Sequence, residues 1–187
     1  MAAGADSKYI YRGKDVSPNL EVKVNVVDDA GNVVDTYSNA AKTVEGTRKT
    51  ITNKFPDEAL PPNGKVVDYY IENGKIKGIN GLNEVDFVIT KDGQLIIGNK
   101  HHYLGQGQDV MAAGQLKING QGQIKRIDNL PGHYRPTVQE AMSYEDLFKN
   151  LDLDTDKTWL QYYRIEADDL GFITQDPVLE YSKMLKE

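Results

Sequence analysis

Apolar and polar residues alternate through most of the first two thirds of the chain. In LEVKVNVVDDAGNVVDTY (20–37) the alternation breaks at Asp29-Ala30-Gly31-Asn32 and then resumes, the pattern of two strands joined by a turn. The same unit returns three times from residue 65. VVDYYIENGKIKGI turns at Asn73-Gly74, VDFVITKDGQLIIG at Asp92-Gly93, and GQLKINGQGQIKRI at Asn119-Gly120 or the glycines just after. Asn-Gly and Asp-Gly suit such turns because both tolerate positive φ at low steric cost. The unit recurs without a fixed period, which predicts an antiparallel meander rather than a solenoid.

Residues 1–8 show no pattern and are expected to be loose. Residues 38–64 are rich in Thr, Asn, Lys and Pro, and KFPDEALPPNG holds three prolines. This predicts an irregular connector or a short helix. It divides an N-terminal hairpin and connector (1–64) from a core region (65–187) within one compact domain.

Beyond residue 136 the period changes. Thr137 stands three residues before Glu140, the spacing of a capping box, and opens an amphipathic run carrying Val138, Ala141, Met142, Phe148 and Leu151. KTWLQYYRI (157–165) has the aromatic and β-branched content of another strand. Asp176-Pro177 offers an N-cap and a first-turn proline for a last helix to about Lys186. The class is therefore α+β: an antiparallel meander with one or two C-terminal helices.

Length and charge narrow the function. A chain of 187 residues buries a core without disulfide or metal staples. Its net charge is −6, and Lys125-Arg126 lies on a predicted strand, so no footprint for nucleic acid is visible. The absence of cysteine excludes disulfides, a thiolate nucleophile and Cys-based zinc sites. No apolar run reaches the roughly 20 residues of a membrane span. The start, MAAGADSKYIYRG, lacks the features of a signal peptide. The expectation is a cytoplasmic protein or one piece of a longer exported chain.

The candidate chemistry gathers in two patches at predicted strand ends: His101 and His102 in GNKHHYLGQGQDV, and His133 in GHYRPT. Two ends of a meander can share one edge. His133, Tyr134, Arg135, His101, His102 and Asp109 together would suit general acid–base work, since histidine titrates near neutrality. Arg135 could hold a phosphate or carboxylate bidentately, and Tyr103 or Tyr134 could stack on a ring or donate a hydroxyl. On a strand His101 and His102 would face opposite ways, so at most one would join such a site. The alternative reading has equal standing. His133 and Tyr134 would anchor the sheet-to-helix corner, and Arg135 would pair with Glu140 or another acid. The histidines and Asp109 lack a metal-ligand spacing such as HExxH. GQGQD (105–109) lacks the strand–loop–helix context of a nucleotide loop. Asp152, Asp154 and Asp156 lack the glycine and glutamate of a calcium loop.

The string FVITKDGQLIIGNKHHYLGQGQDVMAAGQLKINGQGQIKRIDNLPGHYRPT resembles the C-terminal module of plant IQ-motif-containing proteins. Leu95 to Gly98, Tyr103-Leu104, Ala112-Ala113-Gly114 and Gly132 to Thr137 follow that module's order. Pro131 stands where the module has serine, and no calmodulin-binding IQ segment is present. The string also looks like the C-terminal domains of exported bacterial toxins of the Rhs and polymorphic kind. The resemblance implies a shared site at His133 and a secreted effector or toxin domain neutralised by a cognate immunity protein. It names no cofactor, substrate or reaction. Two other functions stay open. One is a non-catalytic module whose hairpins and eleven tyrosines recognise a protein or a sugar. The other is an ADP-ribosyltransferase using Arg12 of Tyr11-Arg12-Gly13.

Overall fold

A computed structural model describes residues 8–11, 23–27, 33–38, 50–130 and 132–186 of the chain. The strands are β1 (Lys8–Tyr11), β2 (Lys23–Val27), β3 (Val33–Ser38), β4 (Lys65–Val66), β5 (Tyr69–Glu72), β6 (Lys75–Lys77), β7 (Glu84–Thr90), β8 (Leu95–Asn99), β9 (Val110–Ile118), β10 (Ile124–Asp128), β11 (Trp159–Arg164) and β12 (Val178–Met184). Three short helices join them: α1 (His101–Leu104), α2 (Val138–Ala141) and α3 (Tyr144–Lys149). No helix among the described residues is long and apolar enough to cross a membrane.

Two sheets form, one ordered β3-β2-β1-β5-β6 and one ordered β12-β11-β10-β9-β7-β8-β4. The α+β class and the antiparallel meander are both present. The hairpin of residues 20–37 is β2–β3, although its turn lies outside the described residues. Asn73 (φ 52) and Gly74 (φ 78) make the β5–β6 turn as the Asn-Gly pair requires. β7 and β8 turn at Asp92-Gly93, and β9–β10 turns through Gly122, the later of the two glycines in that loop. Lys8 starts a strand instead of ending a loose leader.

One pairing departs from the meander. β11 lies parallel to β10, with Arg126 opposite Trp159. Parallel neighbours need a long crossover, and residues 129–158, which contain α2 and α3, supply it. The expected capping box is present at Thr137: its hydroxyl accepts from the Glu140 N–H, and the Glu140 carboxylate accepts from the Thr137 N–H, both at 3.0 Å. The amphipathic run to Leu151 is not one helix, however. It breaks at Met142-Ser143 into α2 and α3. The break lets Tyr144 turn inward, where its hydroxyl donates to the Ala113 carbonyl at 2.6 Å.

The final helix expected after Asp176-Pro177 is instead β12. Residues 178–184 pair along β11 from Arg164↔Val178 to Trp159↔Met184. Pro177 stands just before the first strand residue, where its missing N–H removes no ladder bond. The local helix-start signal therefore yields to the pairing groups on the open edge of β11, a long-range partner that no window around Asp176 contains.

The core is built from β7, β8 and β9 with α3 above them. Phe87, Val88, Leu95, Ile97, Ala112, Leu116, Tyr144 and Phe148 are all fully buried. Asp128, at the end of β10, is buried with them. Burial pushes its carboxyl above the usual range, partly offset by the Leu130 and Gln115 N–H groups and by Arg126 at 3.1 Å. Directly across from it runs Gly114. A Cβ at Gly114 would lie 1.8 Å from the Asp128 carbonyl oxygen. Gly114→Ala is expected to lower the unfolding free energy in urea by about 3 kcal/mol, the upper end of overpacking costs. Gly120→Ala, which meets nothing within 4 Å, should change it by less than about 0.5 kcal/mol.

Candidate functional site at the His102–His133 stack

The chain from Lys100 to Asp109 does not continue β8. It winds into α1, so His101 and His102 are helical neighbours and not strand neighbours. They still point to different partners. His101 is buried and donates from Nε2 to the Gly114 carbonyl at 2.7 Å, while its Nδ1 lies 3.8 Å from Asp86. His102 turns the other way and stacks on His133, with ring centroids 4.4 Å apart and planes 19° apart. The two distant histidine patches therefore do meet, through His102.

The GHYRPT segment lies across α1 residue by residue. A Cβ at Gly132 would stand 2.4 Å from His101 Nδ1, so only glycine passes there. His133 covers His102. Buried Tyr134 donates its hydroxyl to the Gln108 carbonyl, and that hydroxyl occupies the space beside Gly105. Burial and the nearby Asp109 charge push the Tyr134 phenol well above its ordinary value, so it stays a donor.

Residues 51–58, the connector that carried no periodic signal, complete the site. Ile51 bridges Val110, and the Asn53 N–H donates to Asp109 at 3.1 Å. The buried Asn53 amide uses every atom it has. Its oxygen accepts from the Phe55 N–H at 2.9 Å, and its nitrogen donates to the Gly107 carbonyl and to His102 Nδ1, each at 3.0 Å. The Phe55 and Gly107 bonds fix which way the amide points, and this in turn assigns the His102 tautomer. Nδ1 is the acceptor, and Nε2–H donates to the Glu58 carbonyl at 2.6 Å. His102 thus has no free nitrogen with which to give or take a proton.

His133 differs. Its Nε2 lies 2.8 Å from the Glu58 carboxylate, and its side chain is 25 % exposed. Nδ1 has no partner among the described residues. The Lys54 N–H donates to the His133 carbonyl, and the edge of Phe55 meets the imidazole at 5.4 Å. Glu58 therefore holds both histidines, one by its main chain and one by its carboxylate. Arg135 lies over the other part of this cluster, with Cζ 5.0 Å from the Phe55 centroid. It does not pair with Glu140, whose carboxylate is spent on the Thr137 cap.

Of the residues the sequence singles out, His102, His133, Tyr134, Arg135 and Asp109 belong to one cluster, while His101 supports it from within the core. Tyr103 stays apart, packed under Gly64. Arg12 lies outside the described residues. Asn53, Phe55 and Glu58 were not foreseen, since an Asn, a Phe and a Glu in a proline-rich connector carry no local signal of their partners. Of the eight tyrosines whose side chains are described, four are buried and four half-buried. Among the described residues no three His, Asp or Glu side chains are grouped to hold a metal ion. A cleft of about 430 Å³ between the β6 and β9–β10 turns contains none of the histidines.

No protein-family model matches the chain, and no curated protein or solved structure matches it.

The hydrogen bonds separate anchor from exposed group energetically. Asn53→Ala would strand a buried N–H, a carbonyl and an imidazole nitrogen. Urea unfolding is expected to show a loss of about 2–4 kcal/mol. His133→Ala removes a part-exposed ring and its surface contact with Glu58, for which about 1 kcal/mol or less is expected.

Proposed function

We propose that the chain is an effector or toxin domain carried by a longer exported chain, that its activity is enzymatic, and that His133 is its general base, oriented by Glu58. The resemblance of Ala112-Ala113-Gly114 and Gly132 to Thr137 to exported toxin domains supports the delivery. The chemistry rests on one observation, the 2.8 Å contact of His133 Nε2 with the Glu58 carboxylate beside an Nδ1 that has no partner among the described residues. With Nε2–H donated to the carboxylate, the Nδ1 lone pair is left to take a proton from water or a substrate hydroxyl. Glu58 then stabilises the imidazolium that results. His102, with both nitrogens bonded, sets the ring plane and takes no proton. A cognate immunity protein would act by covering His133.

A second reading, a non-catalytic binding module, is favoured by the surface of the β11–β12 connection, which adjoins the site at Gly171. Leu170 and Phe172 are 76 % and 67 % exposed, and Ile173, Val178 and Leu179 are exposed with them. The stretch 166–180 carries Glu166, Asp168, Asp169, Asp176 and Glu180 and no Lys or Arg. That surface suits a basic protein partner with an apolar groove.

Expression in a bacterial host, in cytoplasm and in periplasm, separates the two. The enzymatic reading expects a growth defect that His133→Ala and Glu58→Gln each abolish while the melting temperature moves by only a few degrees. No defect in either compartment, or a defect that survives both substitutions, overturns it. A defect lost in Leu170→Asp or Phe172→Asp but kept in His133→Ala favours the binding module.

A further inference from the structure

Arg135 has a set of features that corner anchoring does not account for. Its φ is 42°, in the left-handed region that a side chain with a Cβ disfavours. Its Nε is buried with no hydrogen-bond partner. Buried N–H groups are nearly always paired, so an orphan on a strained residue marks a position held for something other than stability. Of the three arginines among the described residues, Arg126 pairs with Glu84 and Asp128, and Arg164 with Glu166 and Glu180. Arg135 has no carboxylate partner among the described residues.

Its surroundings favour an anion. The guanidinium lies over Phe55, with Cζ 5.0 Å from the centroid, and the same ring meets His133, so cation and imidazole share one phenyl group. The tip of the β11–β12 connection closes the other side. A Cβ at Gly171 would lie 2.7 Å from Phe55 Cζ and 3.5 Å from an Arg135 Nη. Exposed Leu170 and Phe172 flank that glycine in the chain. An arginine held over an aromatic ring, with no carboxylate partner among the described residues, is placed to grip an oxyanion with two parallel N–H donors.

We propose that Arg135 anchors an oxyanion, a carboxylate or a phosphate, on the molecule acted on at His133; this rests on the reading of His133 given above. Glu58 positions the base, Arg135 holds the charged end, and Phe55 sets the distance between them.

The test titrates inorganic phosphate and acetate separately into the whole chain, with ionic strength held constant by sodium chloride. The Arg135 Nε–H and Gly171 N–H signals are followed by NMR. At least one anion should give a saturable shift confined to this cluster, and the preferred anion identifies the group recognised. Arg135→Ala should weaken binding roughly tenfold or more, the loss of two charge-assisted hydrogen bonds. Arg135→Lys keeps the charge without the fork and should fall between. Anion binding needs no proton transfer and is read whether or not His133 acts as a base; Gly120→Ala, on the β9–β10 turn, should leave it unchanged. The base at His133 can therefore fail while the anion site stands, and the reverse. No saturable shift with either anion, or one unchanged in both Arg135 variants, overturns the proposal.

Discussion

The corner of this fold depends on one side-chain amide. Asn53 bonds a carbonyl on one side of it, an imidazole nitrogen on another and its own chain two residues on. His102 and Gly107 already meet through the Gly107 N–H and the His102 carbonyl at 3.0 Å, and Asn53 ties that turn to the connector at Phe55. The segment 51–58 forms no strand or helix of its own; the Ile51–Val110 bridge, the Lys54 N–H to the His133 carbonyl and the Asn53 side-chain bonds hold it against β9, GHYRPT and α1. Through that segment Glu58 reaches both His102 and His133. Orientation of the amide, tautomer of His102 and placement of His133 are thus one linked choice, not three.

The residues carrying the resemblance take on physical meaning around that corner. Gly114 admits the Asp128 carbonyl and offers its own to His101. The Ala113 main chain both receives and supplies the bonds of the Tyr144 hydroxyl. Gly132 clears the His101 ring, Tyr134 ties down Gln108, and Thr137 starts α2. Most of the motif therefore builds a scaffold. What is left over for chemistry is small: His133, Glu58 and Arg135, all on the outer side of the corner and none needed to close the core.

The sequence showed most where structure is local. Alternation and Asn-Gly pairs marked the hairpins, because turn φ angles and strand faces are decided within a few residues. Thr137 and Glu140 announced the cap for the same reason. Residues 176–186 misled because a good helix start was read without the β11 edge that pairs with them. His101 and His102 misled in a smaller way. A glycine-flanked pair after a strand looks like its continuation, yet Lys100 takes a positive φ of 67° and turns the chain into α1, where Leu104 is buried. Asn53 and Glu58 were illegible because their partners lie 44 to 75 positions away. That convergence of His102 and His133 was foreseeable from the meander; the strap that joins them was not.

The division between a locked histidine and an open one is the central claim, and imidazole nitrogens report it directly. Long-range ¹H–¹⁵N correlation of the three histidines, with nuclear Overhauser contacts between rings, measures both tautomer and stacking. The account predicts that His102 carries its proton on Nε2 alone, with its ring protons in contact with those of His133. A proton on Nδ1 of His102, or no contact between the two rings, would contradict it.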